Sequence, residues 1–412
     1  MLFSPAISFI TFGKLGLYSS AYYFQLLSCI IGLAFLVKRN SLIKLNEVTV
    51  ILLFYLLYII IWSFNNGYFE EKGIINTTNA KNFSILFILI IISVTDFSDL
   101  FILASIKIIK VTIIAAFIVS LIQVIYPSFM DANYIWAKGE LGDTLTGDLY
   151  KDRRPSIFGF IDTNEVGLSF LPLLSILIGY LIATNSRYLL FFVIIGGVTA
   201  FLTNTRYIMI GYLLILMQFF LAKKSNFKSI IKYLSISILL SIILYFLLRI
   251  IGYNLNDWYA NRLLSEGSLK ETSRYFAWVN FVRFFPEQPL FGTGVHMTRE
   301  IQVASNEAGS SQIHVGYLSH LVSYGVFGSL LLFGFWFLLA KRLFQKSRQT
   351  MFYGSFFAIL VFLWANATLV KYSMFYYGII FSLVFDKYFY SKYLIQKEKA
   401  NRIKISKQNE ST

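Results

Sequence analysis

The chain of 412 residues is 57% hydrophobic and only 14% charged, with mean hydropathy +0.65, which is too apolar for a soluble protein of this length. A formal net charge of +15 would suggest nucleic acid in a soluble protein, but here the lysines and arginines gather in short connections and in the C-terminal tail. That distribution orients a membrane protein and meets anionic lipid, and it excludes nucleic-acid binding. Cys29 is the single cysteine, so the chain forms no intramolecular disulfide and no cysteine-based metal site.

A hydrocarbon core about 30 Å thick needs roughly twenty apolar residues per helix. By that rule the sequence predicts spans at 19–37, 47–64, 80–96, 109–126, 164–183, 187–204, 206–222, 231–252, 315–340, 351–369 and 372–390. Residues 3–17 are a weaker apolar stretch, broken by Pro5 and Lys14, and read either as a further span or as a re-entrant segment. No charged region and cleavage site mark a removable signal peptide, so the first helices are expected to serve as their own targeting signal. The expected fold class is an all-α integral membrane protein of about 11–12 transmembrane helices, forming a single polytopic domain over residues 1–412.

Orientation follows from the basic clusters Lys38, Arg39 and Lys44; Lys223, Lys224 and Lys228; Lys341, Arg342, Lys346 and Arg348; and the tail 391–412 with Lys397, Lys399, Arg402, Lys404 and Lys407. All of them share one side if the spans are right, and the positive-inside rule makes that side the cytoplasm. Residues 97–108, with Lys107 and Lys110 near the next span, then read as an interfacial cytoplasmic helix. The opposite side receives two long connections, 127–163 and 253–314, where function is expected to sit. Within the second, Glu271–Phe285 has helical spacing without the length to span.

Charges that persist near membrane depth without a topological reason are candidates for function. Arg153 and Arg154 precede Pro155 and a segment ending Asp162-Thr163-Asn164; Arg206 closes Thr203-Asn204-Thr205-Arg206 in a short outward turn; Arg274 opens the aromatic helix of the large loop. A guanidinium grips phosphate oxygens through two parallel hydrogen bonds, so such a set suits a phosphate or diphosphate. The plainer alternative is that each binds a lipid headgroup or pairs with a loop carboxylate.

His314, at the lip of the span that follows, is the best candidate for a general base, because an imidazole titrates near neutrality. A structural hydrogen-bonding role is the alternative. His320 lies nearly two turns further on and is expected to be buried, and His296 follows Gly292-Thr293-Gly294. Those glycines read as a tight turn rather than a phosphate cradle, since no P-loop pattern accompanies them. Trp258, Tyr275, Trp278 and Tyr317 could stack on sugar rings, or else fold the loop and lie in the headgroup belt.

The large loop runs Arg274-x-x-x-Trp278, Pro289-Leu290-Phe291-Gly292-Thr293-Gly294, then His314-x-x-Tyr317-Leu318-x-x-Leu321-x-x-Tyr324-Gly325-x-x-Gly328. That order, with Arg154, Gly159, Asp162-Thr163-Asn164 and the Thr-x-Thr-Arg206 turn before it, resembles the O-antigen polymerase and ligase superfamily of bacterial surface polysaccharide assembly. The resemblance covers roughly residues 150–335. It implies a GT-C-like glycosyltransferase of membrane helices in the bacterial cytoplasmic membrane, acting on a glycan carried by undecaprenyl diphosphate without metal, nucleotide sugar or other cofactor.

In that family's terms His314 would be the catalytic base, and Arg154, Arg206 and Arg274, with Arg153 in support, would hold the diphosphate. A flippase and a chain-length regulator would be working partners, besides membrane lipid. Ligase-like members commonly carry His-Asn where this chain has His314-Val315, a departure that weakens the ligase reading and leaves the polymerase reading intact. A transporter of a lipid-linked sugar fits less well, because the spans contain few charges and such pathways are usually marked by intramembrane acidic or basic pairs. A scaffolding subunit is a further alternative, and it would require none of the outward arginines.

Overall fold

Apolar runs of this length fold as helices because a chain in hydrocarbon must satisfy each backbone N–H and C=O within itself. The structure is a computed structural model, and it describes residues 27, 29–34, 46–65, 77–126, 163–203, 206–223, 235, 239, 242, 246, 273–293, 316–364 and 375–410. In chain order its helices are α1 (Glu47–Asn65), α2 (Thr77–Val94), α3 (Asp99–Ile125), α4 (Thr163–Ala183), α5 (Leu189–Leu202), α6 (Arg206–Leu216), α7 (Gln218–Lys223), α8 (Ser273–Phe284), α9 (Gly316–Thr350), α10 (Gly354–Trp364) and α11 (Phe375–Glu410). No strand occurs among the described residues. Asp99–Gln123 and Tyr317–Thr350 are long and apolar enough to cross a membrane, and shorter apolar helices pack beside them. The architecture is that of an all-α membrane protein.

Most expected spans that fall on described residues meet a helix to within a few positions, and the differences have physical reasons. The structure makes α3 one continuous helix where the sequence suggests an interfacial segment over 97–108 and a separate span from 109. Ser98 starts it by accepting the Phe101 N–H at 3.2 Å, with Asp99 favourably placed in the first turn. Lys110 does not end it, because the ammonium lies 5.5 Å from the Tyr188 ring centre and 6.0 Å from that of Phe192. The span expected at 206–222 breaks at Met217 into α6 and α7. Helices α9 and α11 outrun their expected spans to reach Thr350 and Glu410, so the basic stretches beyond residues 340 and 390 are helical. Residues 3–17, most of 19–37 and 231–252, and the connection 127–162 lie outside the described residues.

Helix α4 is the centre of one apolar core, with Leu171, Leu174, Ile176, Leu177, Ile178 and Leu181 fully buried against α3, α5, α6, α10 and α11. Small and hydroxylic residues bring these helices together, as in other bundles that lack a hydrophobic drive for association in lipid. Gly179 abuts Gly354 so closely that a Cβ there would sit 2.6 Å from the Gly354 backbone. Around that contact the Ser175 hydroxyl donates to Gly354 O at 2.9 Å, the Gln218 amide donates to Ser175 Oγ at 3.0 Å, and the Ser355 hydroxyl donates to Ser382 O at 2.6 Å. A second core joins α1, α2, α9 and α10 through Leu52, Tyr55, Leu332, Phe335 and Phe362.

These contacts fix which helix ends lie together. Gly179, Gln218 and Gly354 meet at one level, while Leu171, Gly211, Val361 and Trp364 meet at another. The Tyr317 hydroxyl donates to Leu363 O, which brings the start of α9 to the second level. The starts of α4, α6 and α9 therefore open on one end of the bundle with the finish of α10.

Among the described residues, the ion pairs lie at the other end. Lys346 Nζ lies 2.6 Å from Asp386 Oδ2, Lys387 donates to Ser93 O at 2.7 Å, and Lys392 lies 3.1 Å from Asp99. The Tyr388 hydroxyl and the Asp99 carboxylate hold the Lys392 ammonium above its ordinary value. Lys223, the basic stretch after Ala340 and the tail helix share this end, in keeping with the charge asymmetry read from the sequence.

Candidate functional site

The end of the bundle away from the ion pairs carries those expected site residues that the structure describes. Arg206 is the first residue of α6, and three residues earlier the Thr203 hydroxyl donates to Ala200 O at 2.7 Å and closes α5. Arg274 and Tyr275 are the second and third residues of α8. On the same helix Trp278 is exposed, with its ring centre 5.6 Å from that of Phe281. Tyr317 is anchored rather than free: besides its bond to Leu363 O, its ring meets Phe333 edge to face at 5.7 Å. That anchorage favours a structural part for Tyr317 over sugar stacking. Arg153, Arg154, Trp258, His296 and His314 lie outside the described residues.

Helix α8 is tied to α9 by an apolar contact. Phe281, Phe284 and Phe285 pack on Val322 and Leu318, and Val322 is 1% exposed. Helix α8, at twelve residues, is too short to span, and it lies against the first turns of α9 instead. This joins the Arg274 helix to the helix that follows His314 in sequence.

Beside that contact α9 is broken. Gly325 has φ 62° and ψ −168°, a region open in practice to glycine alone, and the break frees groups that a helix would pair with each other. In an unbroken helix the Val326 N–H would donate to Val322 O. Here Val326 N–H donates to Pro289 O at 2.9 Å, Phe327 N–H donates to Leu290 O at 3.1 Å, and Val322 O accepts from Thr293 N–H at 2.8 Å. The Thr293 hydroxyl adds a bond to the same carbonyl at 3.2 Å. The turn Gln288–Thr293 is thus spliced into the helix, and Val322 O, Val326 N–H and Phe327 N–H find partners in it.

Glycines make the splice possible. Gly292, with φ 81°, and Gly325 face each other: a Cβ on Gly292 would lie 2.5 Å from Gly325 N, and one on Gly325 would lie 2.5 Å from Gly292 N. The expectation of a tight turn at Gly292 holds, since its N–H donates to Gln288 O at 2.8 Å. From α1 the Tyr58 hydroxyl stands 2.9 Å from Phe291 O and 2.8 Å from Tyr324 O, close enough to share its one proton between the turn and the broken helix. Its ring fits where Gly328 has no side chain, because a Cβ there would come within 2.6 Å of Tyr58 Cε1.

His320 is buried, as its position suggested, at 5% exposure between the rings of Tyr55, Tyr324 and Phe333. It engages the backbone of Gly328 across the break. Sequence reasoning missed Tyr58 altogether. A tyrosine among apolar residues in a predicted span carries no signal of its own, and only its partners far along the chain mark it.

Residues 190–333 match the family model described as O-antigen ligase. The matched segment holds Arg206, the α8 helix with Arg274, the spliced turn, His314 and the break at Gly325, whereas Arg153 and Arg154 precede it. The match supports the O-antigen polymerase and ligase superfamily, and with the apolar helices it supports an integral membrane protein of O-antigen and lipopolysaccharide biosynthesis. A lipid-linked oligosaccharide and a membrane-lipid setting are the partners the family implies. No curated protein matches the chain.

Proposed function

We propose that this protein polymerises polysaccharide repeat units at the outer face of the cytoplasmic membrane. The growing glycan on undecaprenyl diphosphate is the donor, and a fresh lipid-linked repeat unit is the acceptor. The acceptor hydroxyl attacks the anomeric carbon, its proton passes to His314, and the bond from that carbon to the diphosphate oxygen breaks. Arg154, Arg206 and Arg274 stabilise the departing diphosphate, and Arg153 supports the connection that carries Arg154. Fixed guanidinium groups supply the electrostatic stabilisation that a metal ion gives in other transferases.

The observation that carries this reading is the ordered set Arg206, Arg274, Gly292, His314 and Gly325 inside the matched stretch 190–333. Support for the outward orientation comes from the basic groups at the opposite end of the bundle, which is the cytoplasmic end in this reading, with the C-terminal tail. The connections 127–163 and 253–314 form the outer surface of one polytopic unit, which works alongside a flippase and a chain-length regulator.

A second reading is a ligase that moves finished polymer from the same carrier to a lipid A core or another acceptor. The description of the matched family favours it, whereas Val315 in place of asparagine after His314 weakens it. Purified protein supplied with lipid-linked repeat units alone separates the two: a polymerase lengthens them into a ladder, and a ligase leaves them unchanged until a second acceptor is added. In cells, His314→Ala with normal membrane insertion and an unaltered polymer length distribution would remove His314 from the mechanism.

A further inference from the structure

Three elements distant in sequence meet at one point: α1 through Tyr58, the spliced turn through Phe291, and the break in α9 through Tyr324. The turn and the break already pair through backbone bonds, and the Tyr58 hydroxyl reaches two carbonyls that are not among those bonds, Phe291 O and Tyr324 O. What it adds is a tie from the membrane body to both. Trp62, one turn along α1, places its ring centre 5.6 Å from that of Phe291, and Phe291 stacks on Phe327 at 5.3 Å. The peptide around Phe291 is therefore gripped by a hydroxyl and two aromatic rings.

We propose that Tyr58 is a positioning residue for the transfer reaction: its hydroxyl fixes the turn at Phe291 against the broken helix, and so sets where the large connection is held against the membrane helices. The inference rests on the reaction proposed above. It acts through geometry alone, since Tyr58 bonds to two carbonyls of the protein itself. Gly328 is part of the same device, because its missing side chain is the notch that admits the Tyr58 ring.

The test is Tyr58→Phe in the full-length protein in detergent, which keeps the ring in its notch and deletes only the hydroxyl. Hydrogen exchange is followed in peptides covering 288–293 and 322–328, and transfer is followed with lipid-linked repeat units at a series of concentrations. The expected result is exchange about fivefold faster in both peptides, the effect of one lost hydrogen bond. A fall of about tenfold in kcat should accompany it, with KM for the lipid-linked unit within about twofold of the parent.

Exchange unchanged in both peptides would overturn the tie. Faster exchange with kcat unchanged would overturn the positioning role. If the unsubstituted protein neither lengthens repeat units nor transfers them to a second acceptor, the functional reading has failed; the positioning role falls with it, and the exchange result then decides the tie by itself.

Discussion

Gly325→Ala tests the spliced helix most sharply. An L-residue held at φ 62°, ψ −168° costs about 1–3 kcal/mol, and its Cβ would press on Gly292 N at 2.5 Å, where only backbone can give way. The cheapest relief is for residue 325 to turn helical, letting Val326 N–H return to Val322 O and expelling the turn. The turn then loses three backbone bonds, from Thr293 N–H, to Pro289 O and to Leu290 O. At about 1 kcal/mol each these come to about 3 kcal/mol, or roughly two orders of magnitude in local protection. Hydrogen-exchange mass spectrometry on the purified protein reads this directly: peptides over 288–293 should lose protection about 100-fold, while α4 keeps its own. Gly292→Ala presses on the same point and should give a similar loss, with the double variant no worse than about 1 kcal/mol beyond either single one. Protection within about threefold of the parent in Gly325→Ala would refute the reasoning, since the residue would then tolerate a Cβ that the geometry forbids.

Lys346→Met should destabilise the protein by about 3 kcal/mol, read as a lower thermal midpoint in detergent, because it leaves the buried Asp386 carboxylate without its partner. Adding Asp386→Leu should recover most of that loss, and failure of the recovery would argue against the pair. Met351 stands at φ 60° just after α9, with its side chain 41% exposed, so Met351→Gly should stabilise by about 0.5–1 kcal/mol in chemical unfolding. On the proposed mechanism Arg206→Lys should cost about tenfold in transfer and Arg206→Ala about 100-fold or more, since lysine keeps the charge but not the fork. Equal activity in Arg206→Gln and Arg206→Lys, measured with lipid-linked repeat units, would show that charge at this position is not used.

What the sequence revealed and what it hid follow from the range of the forces involved. The run 164–183 was legible as a helix even with Pro172 inside it, because some twenty apolar residues outweigh one lost backbone bond when the alternative is bare peptide in lipid. Lys110 misled for the opposite reason. Its charge suggested the edge of a span, and the rings that receive it, Tyr188 and Phe192, come from a turn and helix some eighty residues away. Gly292 could be read as a turn from its neighbours alone, whereas Gly325 sits in a pattern that remains helical on either side. Its role depends on Pro289 and Leu290 arriving to take the freed N–H groups, a fact of tertiary structure. Near the candidate site, burial of His320 was legible; the anchoring of Tyr317 to Leu363 and the bonds of Tyr58 to Phe291 O and Tyr324 O were not.

The gathering of helix starts gives the proposed site a physical logic beyond its arginines. Helices α4, α6 and α9 all begin at one end of the bundle, and the start of a helix is the positive end of its dipole. Thr163 opens α4 and Arg206 opens α6, while His314, which lies outside the described residues, precedes Gly316 of α9 by two positions in the sequence. An anion brought to that end meets dipoles already paid for by folding, so the guanidinium groups have less charge to offset than they would on a flat surface. The opposite end has the opposite character, since there Asp386 and Asp99 are neutralised by lysines and the surplus is basic. On the proposed mechanism, one arrangement of helices separates an end for a diphosphate lipid from an end for an anionic leaflet, and the break at Gly325 ties the turn Gln288–Thr293 to the helix that begins at the first of them.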